Sequence, residues 1–201
     1  VERDRLYSGF DEDAQGWTSY DNASGPVEWK SQTECNSSTG GCIVLRDAHN
    51  QNMRLLAPAA WNRDWTGFLG GSVHYVAKTN GGDGWTSGFP EVEIRGSRGV
   101  LRLYMPSIFH IRLTEGWTPL TVELDADGSL VNYGTGDLPV LWQFEGRPAT
   151  HEEMHAVLSD VNGLVVRAEY KSGTDYFWMD EFEIVGPDEE PVGGGYPGAG
   201  G

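Results

Sequence analysis

Residues 142–170 read WQFEGRPATHEEMHAVLSDVNGLVVRAEY and combine an amphipathic helix with a buried strand. Thr150 stands where a helix cap is expected, and Glu153, three residues later, completes a capping box. Gly163 is predicted to end the helix. We therefore expect one short helix over about residues 150–162. Its apolar face would consist of four residues at helical spacing: Met154, Val157, Leu158 and Val161.

The rest of the chain has the pattern of an all-β protein. Its 28 glycines lie largely between short apolar runs, and the run at 164–170 is rich in β-branched residues. Residues 92–94 and 100–103 flank a turn and predict a hairpin. Three further apolar segments are predicted to be strands: 108–113, 120–124 and 138–144.

The number of strands indicates how they are arranged. We count about nine or ten, which is near the upper part of the range for a single sheet, so two packed sheets are expected. The predicted fold class is an all-β, two-sheet antiparallel β-sandwich with one short helix. We assign residues 1–9 to an N-terminal arm, 10–186 to the sandwich domain and 187–201 to a Gly/Pro-rich tail or linker.

The net charge of the chain restricts which molecules it can bind. The chain has 30 acidic residues against 14 Lys and Arg, which gives a formal net charge of −16. Long-range repulsion of phosphate makes nucleic acid and anionic membrane surfaces poor partners. No segment approaches the roughly 18 continuous apolar residues of a membrane span. We therefore predict no nucleic-acid partner and no membrane span.

Cys35 and Cys42 are the only cysteines, and six turn-forming residues separate them. We predict that they form a disulfide that closes a small loop. The alternative is a pair of free thiols, whereas a structural zinc site would need four ligands. A disulfide indicates an oxidising compartment, so the protein is predicted to be secreted, extracellular or on the cell surface.

The helix also contains the motif H-E-x-x-H, formed by His151, Glu152 and His155. In zinc peptidases this spacing places two imidazoles one turn apart beside a general base, so a zinc hydrolase is one hypothesis. However, catalytic zinc takes three protein ligands, and no third ligand follows at a recognisable spacing. We favour the alternative, in which the acidic residues complement the helix dipole and the histidines are bystanders.

The order of several short motifs resembles the laminin B domain, also called laminin domain IV type A. These motifs are Phe10 with Gly16 and Trp17, residues 61–70 leading into Tyr75, residues 92–96 followed by 101–103, residues 113–117, and the closing segment 149–170. The resemblance implies an extracellular sandwich of jelly-roll type, similar in shape to many carbohydrate-binding modules. It also implies a binding or structural role without catalysis, and a helix that packs across one end of the sandwich.

Jelly rolls similar to this family often hold a calcium ion where the first and last strands lie side by side. Calcium is bound by six to eight oxygen ligands, which carboxylates at two neighbouring strands can supply. The alternative is that these acids are simply solvated. The candidate ligands are Asp11, Glu12, Asp13, Asp47, Asp180 and Glu181.

A polysaccharide is the ligand to test, because aromatic faces stack on sugar rings and polar groups orient the hydroxyls. Arg95 and Arg102, with nearby Arg98, form a local basic patch that suits an acidic polysaccharide. The alternative is that the tryptophans belong to the core. The candidate contacts are Trp61, Trp65, Trp85, Trp117, Tyr104, Arg95 and Arg102.

Three functions follow from these patterns. The first is a non-catalytic extracellular binding or adhesion module, with a structural calcium ion and a polysaccharide ligand. The second is a structural subunit of an extracellular filament or matrix, whose terminal arm and tail dock on neighbouring protein chains by adding to sheet edges. The third, the zinc hydrolase, is the least favoured, and we predict that the protein is not an enzyme.

Overall fold

The structure is a computed structural model. It describes eight stretches of the chain: residues 5–20, 25–37, 39–47, 52–80, 88–127, 129–132, 137–170 and 174–191. Trp85, a candidate ligand contact, lies outside these residues, as do residues 1–4 of the predicted arm and 192–201 of the predicted tail.

Fifteen strands and three α-helices occur in the described stretches. The strands are β1 (Arg5–Ser8), β2 (Thr18–Ser19), β3 (Glu28–Lys30), β4 (Cys42–Arg46), β5 (Arg54–Leu56), β6 (Ser72–Thr79), β7 (Val92–Gly96), β8 (Gly99–Leu103), β9 (Thr118–Glu123), β10 (Ser129–Asn132), β11 (Asp137–Val140), β12 (Gln143–Phe144), β13 (Arg147–Pro148), β14 (Val161–Arg167) and β15 (Tyr176–Val185). The helices are α1 (Gln32–Cys35), α2 (Ser107–Glu115) and α3 (His151–Leu158).

These strands form two antiparallel sheets, which confirms the predicted sandwich. Sheet A has the order β11-β10-β9-β6-β15-β4-β3. Strand β1 also pairs with β15, along residues 182–185. Sheet B has the order β13-β12-β8-β7-β14-β5-β2. The predicted hairpin is the β7–β8 pair, in which Ile94 lies opposite Leu101.

The inward-facing residues of both sheets form one continuous core. Phe182 of β15 lies near its centre, stacked on Tyr75 with ring centroids 5.4 Å apart. Trp17 and Trp61 also pack on Phe182, with ring centroids at 5.0 and 5.9 Å. Aromatic pairs of this kind stabilise a core beyond their buried area.

Residues Ser107–Glu115 form helix α2. The predicted strand at 108–113 is therefore wrong, and so is the prediction of a single helix. The buried residues Phe109, His110 and Leu113 of α2 have helical spacing, and Gly116, with φ of +144°, follows the last turn. A short apolar run does not by itself distinguish a strand from a buried helix. Packing against β6 and β9 favours the helix here.

Helix α3 begins as predicted but ends earlier. The Thr150–Glu153 capping box is present, whereas the helix stops at Leu158 and Gly163 lies inside β14. The reason is a tertiary contact, because the carbonyl of Leu158 accepts a hydrogen bond of 2.7 Å from the backbone N–H of Trp65.

The N-terminal segment is not an arm where it is described. Arg5–Ser8 form strand β1, in which Arg5 lies opposite Val185 and Ser8 opposite Phe182. The Arg5 guanidinium also pairs with Glu183 at 2.8 Å. This segment therefore pairs within its own sheet, alongside the part of β15 that extends past β4.

The predicted disulfide between Cys35 and Cys42 is present. It joins α1 to β4, and two side chains from elsewhere hold the end of α1 in place. Lys78 Nζ donates to the carbonyl of Cys35 at 2.6 Å, and Trp117 Nε1 donates to the carbonyl of Asn36 at 3.0 Å. In the part of the chain that is described, no helix is long and apolar enough to cross a membrane.

Glu153 in the capping box of α3 is expected to make a pH-dependent contribution to the stability of the fold. Hydrogen bonds from Arg147 and from the backbone of Thr150 lower the pKa of Glu153 from 4.5 to about 2. A lowered pKa in the folded state stabilises the protein above pH 4.5, and this stabilisation is lost as the pH falls through about 2. In thermal melts from pH 7 to pH 2, Glu153→Gln should be less stable than the unmodified protein at pH 7, and the gap should close below pH 4.5.

Glu152→Gln is the matched control, because Glu152 is an exposed neighbour in the same helical turn. A gap between the Glu153 variant and the unmodified protein that stays constant down to pH 2 would contradict this account.

Candidate functional site

The outer face of sheet B carries ordered, mostly polar side chains. Side chains alternate along a strand, so burial of Val92 and Ile94 directs Glu93 and Arg95 of β7 outward. Arg102 of β8 lies directly opposite Glu93 and points to the same side. We call this surface the arginine face, and its members are Tyr20, Arg54, Glu93, Arg95 and Arg102.

Tyr20 organises two of the arginines. The guanidinium of Arg54 lies 4.3 Å from the centre of the Tyr20 ring, and that of Arg95 lies 4.5 Å from it. Arg95 Nη1 also donates a hydrogen bond to the Tyr20 hydroxyl. Cation–π contacts of this kind restrain long side chains that would otherwise be mobile.

Glu93 forms ion pairs with both Arg95 and Arg102. Its carboxylate is 3.1 Å from Arg95 Nη2 and 3.8 Å from Arg102 Nε. The arginine face therefore combines three guanidinium groups with one carboxylate. It is locally positive on a chain whose formal net charge is −16.

A shallow recess of about 30 Å³ opens beside Arg54. Phe89 forms part of its wall and is 41% exposed, which is unusual for a large apolar side chain in this structure. Asn52, Arg167 and Glu169 supply polar groups to the same recess. An exposed aromatic ring beside several hydrogen-bonding groups is the usual composition of a small-molecule or sugar site.

Beneath the recess, Arg167 is anchored by a buried charge. Glu91 is completely buried, and its carboxylate lies 3.2 Å from Arg167 Nη1 and 2.5 Å from His110 Nε2. The Tyr170 hydroxyl donates to the same carboxylate at 2.6 Å. Burial, and then the charge of Glu91, raises the pKa of Tyr170 well above 10, so this hydroxyl keeps its proton and remains a donor.

Two of the predicted ligand contacts are core residues. Trp65 is 1% exposed and its Nε1 donates to the carbonyl of Trp61 at 2.8 Å, while Trp61 packs on Phe182. The prediction that these two tryptophans form a sugar platform is therefore wrong. Their proximity in sequence reflects a turn that fills the core.

The remaining predicted contacts divide between the two sheets. Trp117 packs near the disulfide on sheet A and holds α1, so it lies apart from the arginine face. Tyr104 is half-buried directly after β8, while Arg95 and Arg102 lie together through Glu93. The structure therefore brings together the two arginines and leaves Trp61, Trp65 and Trp117 elsewhere.

Sequence reasoning missed Tyr20, Arg54 and Phe89. The alternation around β5 contained a signal for Arg54, because it lies between the buried residues Met53 and Leu55. Nothing local indicates that Tyr20, which follows β2, meets an arginine of β7.

The predicted calcium ligands lie at separate places. Asp180 is buried at a bulge in β15 and accepts hydrogen bonds from Ser37 and Thr39 at 2.7 and 2.9 Å. Asp47 lies beside the start of that strand, where its N–H donates to the carbonyl of Asp175. Glu12 and Asp13, like Asp11, are exposed in the segment after β1.

Glu181 is the distinctive acid in this group. Burial, and then the charge of Asp180, raises its pKa from 4.5 to about 7. The charge of Asp11 acts in the same direction, so Asp11 and Asp180 both influence Glu181. Even so, among the described residues no three His, Cys, Asp or Glu side chains are arranged to hold a metal ion.

The H-E-x-x-H motif likewise forms no metal site among the described residues. His151, Glu152 and His155 are exposed on α3, while its buried face consists of Met154, Val157 and Leu158. The described part of the chain places no third ligand beside the two imidazoles. The motif therefore reflects the polar side of an amphipathic helix.

Comparison with solved structures supports the fold. The L4b domain of human laminin alpha-2 matches with a TM-score of 0.54 and 16% sequence identity, covering 90% of this chain and 97% of that domain. The fold is similar to that of this laminin domain. The predicted resemblance is therefore confirmed at the level of the fold.

Two further solved structures match with TM-scores below 0.5. A family 11 carbohydrate-binding module from Clostridium thermocellum, in complex with a mixed-linked tetrasaccharide, has a TM-score of 0.45 at 14% identity, covering 92% of this chain and 98% of the module. A laminarinase from Flavobacterium sp. UMI-01 has a TM-score of 0.49 at 10% identity, covering 90% of this chain and 98% of the enzyme. At these TM-scores neither match bears on function. No protein-family model matches the chain, and no curated protein sequence matches it.

Loss of the buried Glu91 carboxylate is expected to lower the stability of the fold strongly. Glu91→Gln should lower the free energy of unfolding by about 3–5 kcal/mol, because it leaves the guanidinium of Arg167 buried without its carboxylate. Urea denaturation at pH 7 measures this change. Glu115→Gln is the control, since Glu115 forms an exposed ion pair with Arg112 and such pairs contribute about 0–1 kcal/mol. Equal losses in the two variants would show that the Glu91 network is not stabilising.

Proposed function

We propose that this chain is a non-catalytic extracellular module that binds a polysaccharide on the arginine face and in the adjoining recess. The observation that supports this most directly is the exposed Phe89 ring at the wall of a recess that also contains polar side chains. The disulfide supports an extracellular location, because disulfides persist in oxidising compartments.

The chemistry of the recess suits a sugar. One face of a sugar ring is apolar and packs on an aromatic side chain, while its hydroxyls require hydrogen-bond donors and acceptors. Phe89 supplies the aromatic surface, Arg54 and Asn52 supply donors, and Glu169 supplies acceptors. Arg54 belongs to strand β5, while Phe89, Asn52 and Glu169 lie in the segments next to β7, β5 and β14.

The other hypotheses have less support. A filament subunit would need a terminal segment able to pair with a neighbour, whereas β1 already pairs with β15 in its own sheet. A zinc hydrolase would need a third ligand near His151 and His155. The binding module accounts for the exposed features of the described structure without either addition.

Removal of the Phe89 ring tests the proposal. Phe89→Ala should weaken binding to the best polysaccharide in a panel of plant, algal and bacterial glycans by roughly tenfold, as expected for loss of about 1–1.5 kcal/mol of stacking. Isothermal titration calorimetry measures the affinity.

Ile111→Ala is the matched control, since Ile111 is 42% exposed but lies on α2, which packs on sheet A. Failure of the unmodified protein to bind any polysaccharide in the panel would overturn the proposal. Equal affinity of the Phe89 variant and the unmodified protein would place the site elsewhere.

We also propose that a calcium ion binds near the β15 bulge, where Asp180 and Glu181 would supply carboxylates, backbone oxygens and water would supply the other ligands, and the nearby charge of Asp11 would favour the cation. No third acidic side chain is needed, which agrees with the absence of a three-residue metal site among the described residues. Glu181 is 7% exposed, and its Oε2 accepts no hydrogen bond from the described residues. Burial, and then the charge of Asp180, raises the pKa of Glu181 to about 7. A cation there would offset the repulsion between these carboxylates.

Calcium should therefore raise the thermal midpoint. A ligand that binds only the folded state at 100 times its Kd stabilises that state by about 2.7 kcal/mol. Differential scanning calorimetry with excess Ca²⁺ or with a chelator measures the change, and Asp11→Asn should reduce it. Asp127→Asn, in an exposed turn, is the control. Identical melts with calcium and with chelator would remove calcium from this account.

A further inference from the structure

The recess beside Arg54 is too small for a whole sugar ring. Its volume is about 30 Å³, whereas a cavity of about 150 Å³ holds one benzene molecule. On that scale, a group of about one or two non-hydrogen atoms fills the recess. A sugar that packs on the exposed ring of Phe89 can therefore place only one small substituent inside it.

The charged groups that line the recess balance one another. Two are the guanidinium groups of Arg54 and Arg167, and two are the carboxylates of Glu93 and Glu169. A carboxylate or sulfate that entered the recess would approach two groups of its own sign, and so would an ammonium group. Burial raises the pKa of Glu169, so charge is disfavoured at this position. The recess therefore favours a neutral substituent.

Most of the recess surface is apolar, and Met53, Phe89 and Pro90 are among the residues that line it. An apolar group that leaves water for such a surface is stabilised, whereas a hydroxyl group loses hydrogen bonds to water there. Among substituents of this size, a methyl group therefore fits the recess better than a hydroxyl group.

Arg167 ties the walls of the recess together. Its Nε donates to the carbonyl of Glu169 at 2.6 Å, and its Nη1 donates to the carbonyl of Phe89 at 3.5 Å. The carboxylate of Glu169 in turn accepts a hydrogen bond of 2.9 Å from the backbone N–H of Met53. The small volume of the recess is therefore set by hydrogen bonds to the backbone of its walls as well as by side chains.

Asn52 adds an exposed carboxamide to the same recess. A carboxamide has both N–H donors and a carbonyl acceptor. It can therefore donate to the carbonyl of a second amide or accept from its N–H. An acetamido group consists of such an amide joined to a methyl group, so it combines the two features that the recess favours.

We propose that the ligand is an N-acetylated polysaccharide, in which the methyl of one acetamido group fills the recess and its amide forms a hydrogen bond with Asn52. The inference rests on the proposed function and names its ligand class. The net charge of −16 does not oppose it, because an acetamido group carries no charge.

Sugars that differ only in this group test the inference. The first set consists of β-linked tetramers of N-acetylglucosamine, glucose and glucosamine, which carry an acetamido, a hydroxyl or an ammonium group at the same carbon atom. The second set is N-acetylgalactosamine and galactose. In calorimetric titrations of the unmodified protein, each N-acetylated sugar should bind roughly tenfold more tightly than its hydroxyl counterpart, because burial of a methyl group and one hydrogen bond are added.

A variant then locates the amide contact. Asn52→Asp keeps the size of the side chain but removes its N–H donors, so it should weaken binding of the N-acetylglucosamine tetramer roughly fivefold and leave binding of the glucose tetramer nearly unchanged. Damage to the fold would instead lower both affinities, and thermal melts show whether the variant is folded. Asn62→Asp is the matched control, because Asn62 is an exposed asparagine outside the recess.

The outcomes separate the two proposals. If an N-acetylated sugar and its hydroxyl counterpart bind equally and Phe89→Ala weakens both, the module binds polysaccharide but the acetamido preference is wrong. If the glucosamine tetramer binds most tightly, the recess recognises a cation, which also overturns the inference. If neither these sugars nor any polysaccharide of the panel binds, both proposals fail.

Discussion

Successive side chains of a strand point to opposite sides of its sheet, and in sheet B this constraint builds the core and the polar face together. Val92 and Ile94 of β7 enter the core, so Glu93 and Arg95 must face outward. Cross-strand registry with β8 then places Arg102 opposite Glu93. The placement of Glu93, Arg95 and Arg102 on the arginine face is therefore a direct consequence of how the apolar residues of sheet B are buried.

The buried carboxylate of Glu91 connects this sheet to the rest of the molecule. His110 comes from α2, Arg167 from β14 and Tyr170 from the segment after it, and all three contact the same carboxylate. A buried charge is tolerated only when it is paired and hydrogen-bonded. The network therefore fixes the position of α2 against the sheets and holds the guanidinium of Arg167 at the recess, where a flexible surface arginine would be mobile.

The tryptophans show why composition is a poor guide to binding surfaces. Trp61 and Trp65 lie in a turn-rich segment, yet they fill the core beside Phe182 and Phe68. Trp117 packs against α1 beside the disulfide. The exposed aromatic ring of the recess is instead Phe89, which no pattern in the sequence singled out. An aromatic residue outside a strand can turn inward or outward, and only the surrounding packing determines which.

Sequence patterns predict the all-β class, the β7–β8 hairpin, the start of α3 at its capping box and the disulfide, because interactions among near neighbours in the chain govern each of these. Long-range packing instead governs the helical state of α2, the early end of α3 and the pairing of β1 with β15. It also decided the meeting of Tyr20, Arg54 and Arg95, which come from distant parts of the chain. Contacts of this kind depend on which strands become neighbours in a sheet, and the alternation within a single strand carries no information about its neighbours.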